Sequence, residues 1–276
     1  MFKNSLTKNA RAVITGAGSG IGKALALELA RRGSLVVCTD INLDAAEQTA
    51  SEVRRLGGEA WAVACDVSKL EQVQALADKA DELLPEPVNL VINNAGVGVG
   101  GKAIGETSIE DWEWTVNINL WGVVYGCHVF APRLRLQDQA GIINVASTAS
   151  FSAAPLMGPY NATKAAALAI SETLAAELSG TGVSVTALCP TLVKTNISAN
   201  GRIQGESNDL FNRLMDRIGM SADKVARMAL DGLDKKQLYV MPQVDARMIW
   251  RIKRLLPNSY AAITGLINRR MTSKFV

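Results

Sequence analysis

The chain has 276 residues, 48% hydrophobic and 20% charged, an ordinary globular composition whose length suits one large α/β domain or two small ones. No apolar run reaches the roughly 18–20 residues of a membrane-spanning helix, and the richest, 118–132, is broken by Asn119 and His128. The net charge of +3 is unevenly spread: residues 247–276 hold seven Lys/Arg and no Asp or Glu, against 22 basic and 26 acidic residues before them.

The first residues, MFKNSLTKNARAVIT, lack an apolar signal core with a cleavage site and run straight into a strand-like segment, so a cytosolic protein is expected. Strands are predicted at Ala12–Thr15, Leu35–Thr39, Ala60–Cys65, Leu90–Asn93, Gly141–Ala146 and Val183–Cys189, with a seventh at Gln237–Met241. Helices are predicted between them near Gly20–Arg32, Leu43–Leu56, Lys69–Leu84, Ile109–Ala131, Met157–Leu178 and Ala222–Leu233. The alternation implies a parallel sheet with helices on both faces, and the strands are continuously apolar, as burial on both faces requires. The expectation is a single-domain, Rossmann-type doubly wound parallel sheet over residues 1–246, with an amphipathic extension over 247–276. Pro190 ends the sixth strand, and residues 190–220 lack firm periodicity, which marks them as a candidate substrate loop. The cysteines Cys38, Cys65, Cys127 and Cys189 lie in separate apolar segments without a CxxC pair, the pattern of buried free thiols. With His128 the only histidine, no histidine-rich metal site is expected.

The turn between the first strand and first helix reads Thr15-Gly16-Ala17-Gly18-Ser19-Gly20-Ile21-Gly22. Glycines there allow backbone to approach a pyrophosphate, and the helix N-terminus offers unpaired N–H groups and partial positive charge. A glycine cluster alone could be only a turn, but its place between strand and helix favours phosphate binding. Asp40 ends the second strand, 18 residues beyond Gly22, where a carboxylate can accept hydrogen bonds from an adenosine ribose and repel the 2′-phosphate of NADP. Neither Ser19 nor Ile41 and Asn42 supplies an arginine for that phosphate, so NAD is the expected cofactor; the plain alternative is a surface aspartate at a strand end.

At this point the chain resembles the short-chain dehydrogenases/reductases. TGAGSGIG looks like that family's cofactor turn, Asp66-Val67 like the pair that touches the adenine, and Asn93-Asn94-Ala95-Gly96 like its NNAG motif. The resemblance covers residues 10–196, with each motif in the expected order. It implies cofactor contacts from Gly16, Ser19, Gly20, Ile21, Gly22, Asp40, Asp66, Val67, Asn93, Ala95, Gly96, Tyr160, Lys164, Pro190, Val193 and Thr195. Pro190-Thr191 departs from the family's Pro-Gly turn, and the threonine is expected to narrow the space beside the nicotinamide.

Tyr160-Asn161-Ala162-Thr163-Lys164 places a phenol and an ammonium on one helical face. A tyrosine with its usual pKa near 10 is a poor base at neutral pH, but a nearby ammonium and a cationic nicotinamide stabilise phenolate. On its own such a pair could be a surface feature. Ser147 lies 13 residues earlier at a carboxyl strand end, facing the crevice of such sheets. The resemblance makes it the hydroxyl that holds the substrate oxygen, with Thr148 and Ser150 as neighbouring competitors. It also makes Asn119 the fourth catalytic residue, holding water beside the lysine; Asn117 lies close, and a structural role for a buried asparagine is the alternative.

The function these residues imply is hydride transfer between NAD(H) and a secondary alcohol or ketone. Phe151, Leu156, Met157 and the apolar stripe Leu210, Phe211, Leu214, Met215, Ile218 and Met220 suggest a fairly apolar substrate, or else packing onto the core. The rival reading is a non-catalytic NAD-binding sensor on the same fold, which has no need of Ser147, Tyr160 and Lys164 together. A serine hydrolase lacks its Gly-x-Ser-x-Gly elbow here. A homodimer or homotetramer is expected from the long, small-residue-rich helices Ile109–Ala131 and Met157–Leu178, which pair across a two-fold axis in the family. In the extension, Met248, Ile249, Ile252, Leu255 and Leu256 recur at helical spacing beside Arg247, Arg251 and Arg254. Three roles stay open for it: packing on its own subunit or a neighbour, capping the substrate pocket, or lying on an anionic membrane surface.

Overall fold

The computed structural model describes residues 5–195, 201–203 and 217–272. In chain order the elements are β1 (Arg11–Thr15), α1 (Gly20–Arg31), β2 (Leu35–Asp40), α2 (Leu43–Arg55), β3 (Glu59–Ala64), α3 (Leu70–Leu83), β4 (Leu90–Asn93) and β5 (Val99–Gly100). There follow α4 (Ile109–Val116), a π-helical turn (Asn117–Trp121), α5 (Gly122–Leu134), β6 (Ala140–Val145), α6 (Ala149–Ser152), α7 (Gly158–Glu177), β7 (Val183–Leu188), β8 (Val193–Lys194), β9 (Arg202–Ile203) and β10 (Met220–Ser221). The remainder is α8 (Ala222–Asp234), β11 (Tyr239–Val240), α9 (Val244–Leu255) and α10 (Pro257–Thr272). Local chemistry sets several of these starts. Asn42 accepts the Ala45 N–H at the head of α2, Ser108 the Asp111 N–H at α4, and Ser221 the Lys224 N–H at α8.

Seven strands form one sheet in the order β11-β7-β6-β4-β1-β2-β3, with every pair parallel. This is the doubly wound Rossmann-type α/β fold. Alternate residues serve opposite faces, and both faces are buried. Val13, Val37, Val91 and Ile142 meet Val73, Leu76, Phe130 and Leu134 on the α3/α5 side. Ile14, Val36, Ile92 and Ile143 meet Leu25, Leu29, Val225 and Leu230 on the α1/α8 side. That is the physical reason the strands read as unbroken apolar runs. From β1 the chain proceeds to β2 and β3 on one side and returns to β4 on the other, so a topological switch point lies between the carboxyl ends of β1 and β4. Ligands of open α/β sheets bind in such crevices. All four cysteines are buried free thiols.

The long helix expected over Ile109–Ala131 is instead α4, a π-helical turn and α5 running to Leu134. A π turn leaves no signature in apolar spacing, and such turns concentrate at functional sites. The extension comprises two helices, the first of which begins at Val244, ahead of Arg247. Of the apolar stripe after Pro190, Leu210, Phe211, Leu214 and Met215 lie outside the described residues.

Candidate active site

The turn after β1 is built of close backbone approaches. Gly16 and Gly20 have φ of +65° and +56°, a region L side chains rarely adopt. A Cβ on Gly22 would lie 2.2 Å from the Gly16 carbonyl oxygen, so the first turn of α1 can sit against the loop only if that residue is glycine. The first N–H groups of a helix have no acceptor inside it, and the Ser19 hydroxyl at the N-cap of α1 caps none of them. Thr195 sits over this turn, its Cγ2 3.1 Å from the position of a Gly20 Cβ. Val193, in the preceding β8, is buried and pairs in register with Met220.

The turn after β4 is locked to the turn after β1. Thr15 Oγ1 accepts the N–H groups of Asn94 (3.0 Å) and Ala95 (3.1 Å), and Asn94 Nδ2 donates to the carbonyls of Thr15 (2.9 Å) and Gly16 (3.0 Å). Asn93, expected among the cofactor contacts, turns its side chain away from this crevice. Strand alternation puts it on the face of Val91, where Nδ2 donates to Asn144 Oδ1 at 2.8 Å, and Asn144 Nδ2 in turn reaches Ser171 Oγ at 3.0 Å. Asn94 is the side chain of this motif that joins the two turns; the period of two along β4 distinguishes it from Asn93.

At the end of β2, the Asp40 carboxylate accepts the Gly18 N–H through Oδ2 and the Asn42 N–H through Oδ1, both at 3.0 Å. It therefore borders the glycine turn while remaining partly exposed. Asp66 Oδ1 accepts the Ser68 N–H and hydroxyl, shaping the turn after β3, and buried Val67 packs against the space above Gly122.

Ser147, Tyr160 and Lys164 come together at the carboxyl ends of β6 and β7. Ser147 follows β6, and its Oγ lies 3.1 Å from the Ala149 N–H and 3.5 Å from the Pro190 carbonyl. Tyr160 and Lys164 stand on the first turns of α7, which carries Pro159 at its start. Lys164 is 3% exposed. Its Nζ donates to the Val145 carbonyl at 2.8 Å and lies 5.8 Å from the Tyr160 ring centroid. Burial drives the Lys164 ammonium down to about 8, with the neighbouring Cys189 pulling weakly the other way. Burial likewise pushes the half-buried Tyr160 phenol above its ordinary value, and its hydrogen bond with Ser147 opposes the rise. The Cys189 thiol beside this group is held up at about 12 by burial.

Asn119, on the π turn, is fully buried. Its Oδ1 accepts the Val97 N–H (2.8 Å), and its Nδ2 donates to the Val97 carbonyl (2.9 Å) and, more weakly, to Thr163 Oγ1 (3.4 Å). It pins the segment after Gly96 over the lysine: a Cβ on Gly96 would lie 3.1 Å from Asn119 Oδ1 and 3.3 Å from Lys164 Nζ. Ser150 accepts the Ser147 N–H (3.3 Å) and donates to the Lys164 carbonyl (2.7 Å), so it holds the site's backbone. Between Ser147 and Tyr160, Ala153 and Leu156 adopt positive φ, a concentration of backbone strain of the kind found around ligand sites.

Thr191, in place of the family's glycine, points to the extension. Its Oγ1 lies 3.0 Å from Thr148 Oγ1 and 3.1 Å from Asp245 Oδ1, and its N–H donates to Gln243 Oε1 at 3.1 Å. Tyr260 Oη on α10 donates to the Ser152 carbonyl at 2.9 Å. The extension thus packs on its own subunit, beside the segment that carries Ser147.

A glycine turn and a locked second turn at the switch point of a parallel sheet define a Rossmann-type dinucleotide-binding protein. Over residues 10–205 the sequence matches the short chain dehydrogenase family, and the chain belongs to that family. It is 33% identical to "Probable oxidoreductase EphD" of Mycobacterium tuberculosis over 92% of this chain, but spans only 44% of that protein's length. It is 34% identical to 1-deoxy-11-beta-hydroxypentalenate dehydrogenase of Streptomyces exfoliatus, covering 90% of this chain and 91% of that one. Among solved structures, a short chain dehydrogenase/reductase from Burkholderia phymatum in complex with NAD superimposes with a TM-score of 0.84 at 34% identity, covering 90% of this chain and 94% of that one. Another, from Sphingobium yanoikuyae in complex with NADPH, gives 0.76 at 27% identity, covering 93% and 94%.

Proposed function

We propose that the protein is an NAD-dependent dehydrogenase/reductase that interconverts a secondary alcohol and a ketone. The observation that carries this reading is Lys164: a buried lysine, hydrogen-bonded to a backbone carbonyl and forming no ion pair among the described residues, with its Nζ 5.8 Å from the ring centroid of Tyr160, which is hydrogen-bonded to Ser147. An uncompensated cation in the interior is costly, and its retention beside a tyrosine that is itself hydrogen-bonded to a serine supports a proton-transfer site. A nucleotide sensor needs the crevice but not this group.

A dinucleotide fits the residues present. At Gly16, Gly18 and Gly22 the cradle has no room for a Cβ, the N-terminus of α1 is uncapped, and Asp40 borders the turn where an adenosine ribose would lie. Ser19, Gly20, Ile21 and Thr195 would hold the phosphates and the nicotinamide end, Asp66 and Val67 the adenine, and Ala95, Gly96, Tyr160, Lys164, Pro190 and Val193 the rest of the crevice. The bound nicotinamide supplies the hydride acceptor or donor. Ser147 Oγ holds the substrate oxygen. In the oxidative direction Tyr160 Oη, as phenolate, takes the hydroxyl proton; in the reductive direction the phenol returns it. Burial raises the Tyr160 pKa; positive charge beside the phenol, from protonated Lys164 and from the oxidised cofactor, would favour phenolate. Asn119 acts as a positioning residue through Val97. The Asp40 carboxylate favours NAD by repelling a 2′-phosphate. Phe151, Leu156 and Met157 flank the site and favour an apolar substrate.

The test is a panel of secondary alcohols and ketones with NAD(H), followed at the nicotinamide absorbance band, for the wild type and Tyr160→Phe. Turnover should fall about 10²- to 10⁴-fold in the variant, with cofactor affinity, read by fluorescence titration, little changed. Near-normal kcat in the variant would overturn the assignment. The reading extends to a cytoplasmic homodimer or homotetramer. It is supported by exposed Trp121, stacked on Tyr125 at 5.4 Å, and by outward-facing Ala162, Ala165 and Ala169 on α7. A monomer mass by light scattering at micromolar concentration refutes that part.

A further inference from the structure

The extension is anchored on one side and apolar on the other. The inner side of α9 is seated by fully buried Ala246, by Trp250, whose ring centroid is 6.0 Å from that of Tyr239, and by the Asp245–Thr191 hydrogen bond. The outer side carries Val244, Met248, Ile252 and Leu255, which recur every three to four residues and so share one face. Met248 is 57% exposed and Leu255 78%. Leu256 at the bend and Ile263 and Leu266 on α10 are exposed as well. Of the fifteen large hydrophobic side chains exposed among the described residues, seven therefore fall between Val244 and Leu266. Scattered exposed aliphatics need no explanation, but a concentration of this kind does.

Charge identifies what covers the face. Exposed Arg247 and Arg251 flank it on α9, Arg254 stacks on the inner Trp250 ring at 4.2 Å, and from Arg247 onward the sequence holds seven Lys/Arg and no Asp or Glu. A second copy docking the same face would bring two such segments together, and like charges juxtaposed across an interface are strongly unfavourable. The complement is an apolar surface rimmed with negative charge. Among the described residues no helix is long and apolar enough to cross a membrane. An aliphatic face with arginines on its flank instead suits a helix lying in the plane of the interface, its apolar side sunk about 5–10 Å.

We propose that α9 and α10 form a peripheral docking surface for an anionic lipid bilayer, with Met248, Ile252 and Leu255 entering the acyl boundary and Arg247 and Arg251 meeting the headgroups. The bonds from Thr191 to Asp245 and from Tyr260 to Ser152 then hold the rim of the candidate active site at that surface.

The test uses the full chain and vesicles of phosphatidylcholine with or without about one-third phosphatidylglycerol. At low ionic strength the protein should co-sediment with the anionic vesicles, and much less with the neutral ones. High salt should weaken the binding. R247Q and R251Q should each weaken it about fivefold, and M248E with I252E should abolish it, while melting temperature and turnover of a soluble substrate stay at wild-type values. These positions are exposed, so folding is expected to survive. As an independent readout, an environment-sensitive dye on L255C should shift to the blue on anionic vesicles. Failure to bind anionic vesicles at low salt overturns the proposal, as does binding that M248E with I252E leaves intact or a dye that reports no change. Capture of an acidic protein by this face without vesicle binding counts against it equally.

Discussion

Replacing Lys164 with methionine removes a cation that the fold desolvates without a carboxylate partner. The ammonium sits at about 8 in the folded protein against 10.5 for the free side chain, with burial as the cause. A difference of about 2.5 pKa units corresponds to about 3 kcal/mol of disfavoured charge. The sign follows from linkage. Between the two values the unfolded chain binds more protons than the folded one, so stability contributed by this residue rises with pH across that window. The penalty is fully present below about pH 8 and is relieved as the pH climbs toward 10.5. Urea unfolding of wild type and Lys164→Met at several pH values between 7 and 10 isolates the effect, because the other titrations are common to both. Relative to the variant, the wild type should gain about 2–3 kcal/mol over that range, while the variant loses turnover. A stability difference that stays constant with pH would show that Lys164 titrates as an ordinary lysine, and the argument for a desolvated proton-transfer group would fall with it.

Two further outcomes test the cofactor crevice. Asp40→Ala should narrow the preference for NAD over NADP in kcat/KM by about tenfold or more, since a unit charge near a phosphate is lost, at about 1 kcal/mol in stability for the N–H groups of Gly18 and Asn42 that it leaves unpaired; a wild type that uses NADP equally well refutes the reading. Gly22→Ala drives a methyl to within 2.2 Å of the Gly16 carbonyl oxygen and 2.5 Å of Asn94 Nδ2, and because one neighbour is backbone, about 3 kcal/mol of destabilisation and weakened cofactor binding should appear in denaturation and titration; an unchanged melting temperature would mean the turn is looser than the geometry states.

Much of this protein is determined by local pattern. The continuous apolar strands and the order of motifs specify a doubly wound sheet, because two-sided burial acts over a few residues and leaves a periodic trace. The spacing of Ser147, Tyr160 and Lys164 is legible for the same reason: a strand end and a helical period of four set their relative positions. What the tertiary structure alone decided depends on contacts between distant segments. It sends Asn93 into the sheet interior and Asn94 to the crevice, places Asn119 on a π turn where its amide closes on Val97, buries Lys164 with a carbonyl rather than a carboxylate, and uses Thr191 to bind Asp245, 54 residues away. The amphipathic spacing of the extension was visible in the sequence. Which of its faces meets the protein and which meets solvent was not, because apolar periodicity describes two-sided helices and interfacial helices alike until the packing partner is known.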